Sequence, residues 1–339
     1  MDMDEKKKTK NIFQYAFWGI VAVVLVYFCL RSIDWSQFSE ALKRCRWEYV
    51  ILSMLLGTLV LKVRGNRWRM LLLPFDPGTS PVTTFNAYNI CMAVNLALPR
   101  AGEVARLGYA VRHSAVGPDG KRLLSFDKAL GTLFTERVWD ALVTLAMAAV
   151  LAVLMWKSFG AYLLEELSSL GGAGLIGWGL CGLALLGLLS LYLIYAFRRK
   201  GGLWSKAWGF VRGIGSGAAA FLKMKRAWLF FVYTLVIWLL YWLMSVCIVR
   251  AVQDIEAFSS LSPADAFILM VAGSISSVVP VPGGFGAYHG VLCGVLSTLW
   301  GIPMGTGMIF ATLNHESQVV TQALCGLASY IHEHFFRKK

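Results

Sequence analysis

Apolar stretches long enough to cross a bilayer recur along this chain, and they constrain its fold more than any other feature. A helix needs about 20 apolar residues to span the hydrocarbon core. Hydrophobic residues make up 57% of the 339 residues and charged residues 15%, which excludes an ordinary soluble domain. We therefore expect an all-α polytopic membrane protein, a single integral membrane domain over residues 1–339. The predicted spans are Ile12–Leu30, Tyr49–Leu61, Ala129–Met155, Leu175–Phe197, Trp228–Val249 and Ile309–Ile331.

The positions of Lys and Arg predict how these spans are oriented. The loop 198–226 holds many basic residues and no acidic one, so the positive-inside rule places it in the cytoplasm. Counting spans outward from this loop puts the 1–11 tail and the C-terminus in the cytoplasm as well. Two weaker apolar stretches, 82–112 and 264–300, must then enter and leave the membrane on one side. They are predicted to be two oppositely inserted re-entrant hairpins that form an inverted repeat; proline-kinked spans are the alternative.

The segment 31–47 has the pattern of a helix lying on the outer membrane surface. Trp35, Phe38, Leu42 and Trp47 are predicted to share its apolar face, with charged residues elsewhere.

Both weak stretches are interrupted by proline and glycine, which stop a helix and let the backbone turn. The interruptions read Leu98-Pro99-Arg100-Ala101-Gly102-Glu103 and Pro280-Val281-Pro282-Gly283-Gly284-Phe285-Gly286. Non-helical backbone at membrane depth must be shielded by protein or line a water-filled cavity. The two tips are therefore predicted to face a sheltered interior site, where the positive ends of half-helices attract anionic groups.

The first tip is followed by Arg100, Glu103 and Arg106, which are three residues apart and are predicted to lie near one helical face. The net charge of these three side chains is positive, so they could hold a phosphate. For Arg100 we favour contact with a substrate.

Three further charges, Glu136, Arg137 and Asp140, lie inside an apolar run and need partners there. Arg137 and Asp140 can pair on one face. An internal salt bridge between helices and contact with a substrate both remain open.

Two histidines are predicted to approach the same cavity. His289 follows the glycine-rich tip, and His315 lies in the last span beside Glu316 and near Gln318. Neutral imidazole donates and accepts, so these rings could relay a proton or bind a phosphate oxygen; hydrogen-bonded structural histidines are the alternative. No H-E-x-x-H or comparable spacing occurs, so no metal and no cofactor is expected.

Other functional classes are disfavoured by what the sequence lacks. There is no G-x-x-x-x-G-K-[ST] loop for direct ATP coupling and no G-x-S-x-G nucleophile elbow. The net charge of +13 is concentrated in connecting segments, which suits anionic lipid headgroups better than nucleic acid.

Four motifs occur in order along the chain: Arg64-Gly-Asn-Arg67-Trp68, Asn95-Leu-Ala-Leu-Pro99-Arg100-Ala-Gly102-Glu103-Val-Ala-Arg106, Glu136-Arg137-Val-Trp-Asp140 and Pro282-Gly283-Gly284-Phe-Gly286. With them the sequence resembles, over nearly its whole length, the flippase-like lysylphosphatidylglycerol synthase transmembrane region. The resemblance implies a membrane bundle with re-entrant helices that moves lipids between leaflets. It also implies that this chain, which has no soluble aminoacyl-transferase domain, does not make lysyl-phosphatidylglycerol itself.

The chain departs from the commoner family pattern at two places. That pattern has an acidic residue shortly after the glycine-rich turn and an arginine in the last span, where this chain has His289 and His315-Glu316. The sequence thus resembles a His-containing branch of this family, whose substrate need not be that of the commoner members.

The sequence favours a non-enzymatic flippase in the bacterial cytoplasmic membrane that moves a phosphate-bearing lipid, either a phospholipid or a polyprenyl-phosphate-linked carrier. An intramembrane enzyme acting on a lipid phosphate and a scaffold for an envelope-synthesis complex are the alternatives. A homodimer and a separate lipid-synthesising or glycosyltransferase partner are compatible with this interpretation. The expected substrate-binding residues are Arg100, Glu103, Arg106, Pro282, Gly283, Gly284, Gly286 and His289. The expected supporting polar network is Arg64, Arg67, Asn95, Glu136, Arg137, Asp140, His315, Glu316 and Gln318.

Overall fold

The computed structural model describes residues 35–154, 192–198 and 224–336 except 278 and 280, together with isolated residues between 204 and 219. These described parts are helical and contain no β-strand, only one isolated bridge between Val116 and Arg122. The predicted 1–11 tail, the span Ile12–Leu30 and most of the region from 175 to 226 lie outside the described residues. The all-α prediction is confirmed for the rest.

The chain divides into two compact units, which is a finer division than the single domain expected. One unit joins Met1–Leu124 to Met224–Lys339, and the other is Ser125–Lys223. In the second unit the main described helix is Phe126–Leu154. The helices are named in chain order as α1 Trp35–Arg44, α2 Trp47–Leu72, α3 Pro81–Ala97, α4 Ala101–Arg112, α5 Phe126–Leu154, α6 Ala227–Val252, α7 Pro263–Ser276, α8 Ala287–Trp300 and α9 Met304–Ile331.

The segment predicted as a surface helix over 31–47 contains α1, which ends at Arg44. Trp47 does not belong to that helix, because it begins α2, and its indole donates to the carbonyl of Leu42 at 3.2 Å. Arg46 joins the two helices and forms a forked pair with Asp254, with both N···O distances 2.6 Å. This hydrogen-bonded carboxylate raises the pKa of Arg46.

Helix α2 is longer than the predicted span Tyr49–Leu61. It continues to Leu72 and includes the basic residues 62–69. The guanidinium of Arg64 donates to the Tyr241 hydroxyl at 2.6 Å, so this charged turn of α2 is held against α6 rather than released into a loop. Apolar contacts between Val60, Ile237 and their neighbours bury the rest of this interface.

Two helical hairpins occupy the positions of the weak apolar stretches. Helices α3 and α4 pack together as one pair, and α7 and α8 as the other. The arms have 17, 12, 14 and 14 residues, so even the longest is only about 25 Å long, against about 30 Å for the hydrocarbon core. Each arm is shorter than the roughly 20 residues of a typical membrane-spanning helix.

The first arms of the two hairpins begin in the same way. Ser80 caps α3 by accepting a hydrogen bond from the Thr83 amide, and Ser262 caps α7 from the Asp265 amide. A proline occupies the first helical position in both, where its missing N–H costs nothing. The second arms start without a side-chain cap at Arg100 and Gly286. This shared design was not recognised in the sequence.

Helix α9 holds the two hairpins in one unit by packing on both α3 and α8. Glycines permit the closest approaches: a Cβ on Gly326 would lie 2.4 Å from that of Ala93 on α3. The main apolar core lies among α6, α7, α8 and the first half of α9, and includes Phe258, Leu292 and Phe310.

One described helix, α6, is both long and apolar enough to cross a membrane when judged by length and composition. The number of spans and the location of the termini therefore remain predictions.

Candidate functional site at the hairpin tips

The first tip turns at Arg100, which has φ 65° and ψ −5°, a left-handed conformation uncommon for a residue with a side chain. Leu98 and Pro99 precede it, and Leu98 is extended, as expected before proline. The Arg100 side chain is exposed. Because a left-handed arginine is strained by about 1–2 kcal/mol, the surrounding structure must hold it there.

Asn95 closes this tip from the opposite arm. Its Oδ1 accepts the Gly102 amide at 2.8 Å, and its Nδ2 donates to Glu103 at 3.3 Å. The hydrogen bond from Gly102 pairs one of the backbone amides that a helix start leaves without an intrahelical acceptor. A Cβ on Gly102 would lie 2.0 Å from the carbonyl oxygen of Cys91, so only glycine fits where the two arms meet.

The second tip turns through glycines with positive φ. Gly283, Gly284 and Gly286 have φ of 59°, 82° and 79°, and Pro282 begins the short turn before α8. A Cβ on Gly283 would lie 2.7 Å from the Phe285 ring. The proline-glycine pattern therefore predicted the break at this position, and the left-handed backbone explains why glycine is needed.

The two tips lie beside each other. Arg100 Nη2 donates to the carbonyl of Ser277, at the end of α7, with a distance of 3.4 Å. A Cβ on Gly283 would lie 3.7 Å from Leu96 Cδ2 of the first hairpin. The starts of α4 and α8 thus belong to adjacent turns, and the exposed guanidinium of Arg100 lies where the turns meet.

His289, His315 and Glu316 are brought together behind the second tip. His315 Nε2 lies 2.9 Å from the Gly283 carbonyl, and His315 Nδ1 lies 2.9 Å from Glu316 Oε1. His289 Nε2 lies 3.5 Å from that same carboxylate oxygen. The ligand atoms of the three side chains all fall within 4.8 Å of one another. The two histidine rings lie beside each other, with centroids 5.1 Å apart, and their approach to a shared cavity stays a prediction.

The arginines near the first tip do not form the shared face expected for Arg100, Glu103 and Arg106. Arg100 precedes α4 in a left-handed conformation, and Arg106 is fully buried between the rings of Trp68 and Tyr88, 4.1 and 4.6 Å from their centroids. The expectation of one face was wrong because helical spacing cannot extend through a left-handed residue.

Arg64 and Arg67 connect α2 to α6 by hydrogen bonds to Tyr241 and Thr234. Arg67 has no exposed surface. Gln318 connects α9 to α2, donating to Ser53 Oγ at 3.2 Å. These contacts fit the supporting role assigned to the three residues, although they lie between helices and not at a tip.

Glu136, Arg137 and Asp140 belong to α5 in the second unit. Glu136 is fully buried, and the other two are partly buried. The proposed pairing of Arg137 with Asp140 stays a prediction.

Sequence reasoning missed the aromatic rings around the histidines. Tyr288 packs on His315 with ring centroids 4.9 Å apart, and its hydroxyl accepts from Asn314. Phe285 approaches His315 edge-on from the other side. Tyr288 adjoins His289 in sequence, so the glycine-rich motif could have been extended to include it.

A second polar cluster was also missed. Glu333 accepts from the Tyr109 hydroxyl at 2.5 Å and lies 2.7 Å from His113 Nε2. The two histidine–carboxylate clusters are distinct, because His113 follows α4 whereas His315 lies within α9. His113 and Glu333 are 220 positions apart in the sequence, so no local pattern indicated this pair.

The described residues form a helical protein with short-armed hairpins, and the composition of the chain is that of a membrane protein. More particularly, the chain belongs to the family described as the lysylphosphatidylglycerol synthase TM region, which it matches over residues 16–326. Comparison with curated proteins and with solved structures gave no match. The family indicates a function related to membrane lipids, as the resemblance implied.

Proposed function

We propose that the protein is a flippase that moves a phosphate-bearing lipid, a phospholipid or a polyprenyl-phosphate-linked carrier, between the leaflets of the bacterial cytoplasmic membrane. The observation that carries this proposal is the contact of the two tips, where an exposed arginine adjoins the turns from which α4 and α8 start. Helix N-termini favour phosphate through their free amides and their dipole.

The lengths of the hairpin arms support a re-entrant arrangement. Arms of 12 to 17 residues would place their tips partway through a bilayer. The shared Ser-Pro starts at Ser80 and Ser262 fit an inverted repeat, whose halves could rock against each other to give alternating access. The lipid headgroup would bind at the tips while its chains stay in the hydrocarbon.

The proposal assigns different roles to the residues named from the sequence. Arg100 and the backbone of the glycine turn would contact the phosphate. The buried Arg67 and Arg106 would hold helices in register, because their charged groups pack against Phe230 and Trp68. Lipid synthesis would require a separate protein, and a homodimer is compatible with this role.

The test is transport in reconstituted vesicles with Arg100→Ala and Arg112→Ala. Both residues are exposed arginines, but Arg100 precedes α4 at the tip whereas Arg112 is the last residue of that helix, at its far end. A charge-assisted hydrogen bond contributes about 1.5–3 kcal/mol, so Arg100→Ala should slow transport by about tenfold or more. Arg112→Ala should transport at the wild-type rate. If labelled phospholipids and polyprenyl phosphates cross no faster with protein than without it, the proposal fails.

The convergence of His289, His315 and Glu316 favours one alternative, an intramembrane enzyme that hydrolyses a lipid phosphate ester. Water would attack phosphorus, and the lipid alcohol would leave with a proton. Mass spectrometry of lipids incubated with the pure protein separates the two functions. A new phosphate-free lipid that is lost in His289→Ala supports the enzyme, whereas an unchanged lipid in the opposite leaflet supports the flippase.

A further inference from the structure

The group His289, His315 and Glu316 combines two imidazoles and one carboxylate from two helices. His289 lies in the first turn of α8, and the other two are consecutive in the middle of α9. Two ring nitrogens approach the single oxygen Glu316 Oε1, from His289 at 3.5 Å and from His315 at 2.9 Å. Such convergence on one oxygen indicates a binding site more specifically than the mere presence of polar residues in an apolar helix does.

The hydrogen bond to Gly283 fixes which nitrogen of His315 is available. A backbone carbonyl only accepts, so His315 Nε2 must carry a proton and donate to it. His315 Nδ1 then faces a carboxylate oxygen, which also accepts. Two acceptors at 2.9 Å require a positively charged species between them, either an additional proton or a metal cation. A metal-bound histidine commonly donates its other N–H to a backbone carbonyl, as His315 does here.

The buried ring of His289 is directed at the same carboxylate through Nε2. It is 7% exposed, and its Nδ1 has no hydrogen-bond partner among the described residues. Here the ring is held between α8 and α9, 5.1 Å from the His315 ring, with Nε2 directed at the carboxylate.

The distances agree with a metal site. Zinc bonds to nitrogen and oxygen are about 2.0–2.2 Å, which separates neighbouring ligands in a tetrahedron by roughly 3.3–3.5 Å. The two distances to Glu316 Oε1, 3.5 and 2.9 Å, are close to this value, whereas the ligand atoms as a set lie within 4.8 Å of one another, so binding would draw the two imidazoles together. Two histidines and a glutamate are an established zinc ligand set, and imidazole favours transition metals over magnesium or calcium.

We propose that His289, His315 and Glu316 bind one divalent transition-metal cation of the Zn²⁺ type, through His289 Nε2, His315 Nδ1 and the Glu316 carboxylate. The glutamate side chain is 35% exposed, so a fourth ligand can reach the ion. In the flippase proposed above, that fourth ligand would be a lipid phosphate oxygen. This role rests on the proposed function, whereas metal binding does not.

The experiment measures metal in the purified full-length chain. After chelation and dialysis against micromolar Zn²⁺, the wild type should retain about one equivalent by mass spectrometry. Co²⁺ should give the visible absorption of a four-coordinate site. His289→Ala, His315→Ala and the nearly isosteric Glu316→Gln should each lower affinity at least tenfold. His113→Ala is the matched control, because it also removes a histidine that lies against a glutamate.

Folding is monitored separately by gel filtration and by thermal unfolding with and without Zn²⁺. The ion should raise the Tm of wild type and His113→Ala and leave that of Glu316→Gln unchanged. Substoichiometric metal in folded wild-type protein overturns the proposal, and so does equal binding by wild type and Glu316→Gln. Lipid transport at the full rate by metal-free protein would overturn the role of the ion in holding the phosphate and leave the flippase intact.

Discussion

The two hairpins begin alike and turn differently. Each first arm starts with a serine cap followed by proline, at Ser80 and Ser262. The first hairpin then turns at one left-handed arginine, Arg100, and its arms are joined by the Asn95 side chain. The second turns through glycines, and its turn is held by His315 from α9. One turn is therefore closed within its own hairpin, and the other depends on a neighbouring helix.

This difference implies that the two tips respond differently to movement. A shift of α9 would directly change the hydrogen bond from His315 to the Gly283 carbonyl. The first tip would keep its hydrogen bond from Gly102 to Asn95 through such a shift, since both residues lie in the first hairpin. In an alternating-access mechanism the second tip would be the better candidate for the moving part.

The largest effect is expected from Gly102→Ala. The new Cβ would lie 2.0 Å from the Cys91 carbonyl and 2.7 Å from Asn95 Oδ1, and a backbone atom cannot move aside easily. We expect a loss of about 3 kcal/mol or more in the free energy of unfolding, at the upper end of overpacking effects. Denaturant or thermal unfolding in detergent measures it.

The matched control is Gly108→Ala in the same helix, where a Cβ would meet nothing within 4 Å. It should stabilise the protein by up to about 1 kcal/mol, because alanine favours a helix interior. Equal effects at Gly102 and Gly108 would contradict the close packing of the first hairpin.

Gly283→Ala should have the next largest effect. Alanine at φ 59° costs about 1–2 kcal/mol, and the Phe285 ring at 2.7 Å must also move. Because Gly283 bears the carbonyl that His315 contacts, the change should disturb the His315 ring, which NMR of labelled histidine can detect. Gly294→Ala on α8, with nothing within 4 Å of its Cβ, should leave that signal unchanged.

Asn95→Leu is expected to cost about 1–3 kcal/mol, because the Gly102 amide loses its acceptor. Asn95→Asp keeps an acceptor for that amide and instead sets a carboxylate against Glu103. The free energy of unfolding of the aspartate variant should therefore rise at low pH, where protonation removes the repulsion between the two carboxylates. That of the leucine variant should show no such rise. Parallel pH behaviour in the two variants would argue against the contact with Glu103.

Local patterns predicted the elements of the fold better than the contacts of the site. Proline and glycine placed both breaks correctly, since backbone restrictions act at the residue itself. The same reasoning grouped Arg106 with Arg100, because spacing alone could not reveal that Trp68 and Tyr88 enclose Arg106.

The histidine group could be predicted only in part. Two polar residues in apolar segments indicated a shared cavity, but the ligand arrangement depends on how α8 packs on α9. No motif encodes it, since His289 and His315 are 26 residues apart. The absence of a familiar zinc spacing was therefore a weak argument against a metal.

The smallest effect, and the one that tests the first tip most directly, is the difference between Arg100→Gly and Arg100→Ala. At φ 65° glycine should be more stable than alanine by about 1 kcal/mol, whereas at Gly108, inside a helix, the order should be reversed. Both Arg100 variants remove the guanidinium, so both should slow transport equally. Unfolding measurements give the sign of the stability difference.

If the alanine variant is the more stable one at both positions, Arg100 is not left-handed and the comparison of the two turns fails. If the sign reverses as expected while transport falls equally, the arginine is retained at an energetic cost, which indicates that its charge is needed at the tip.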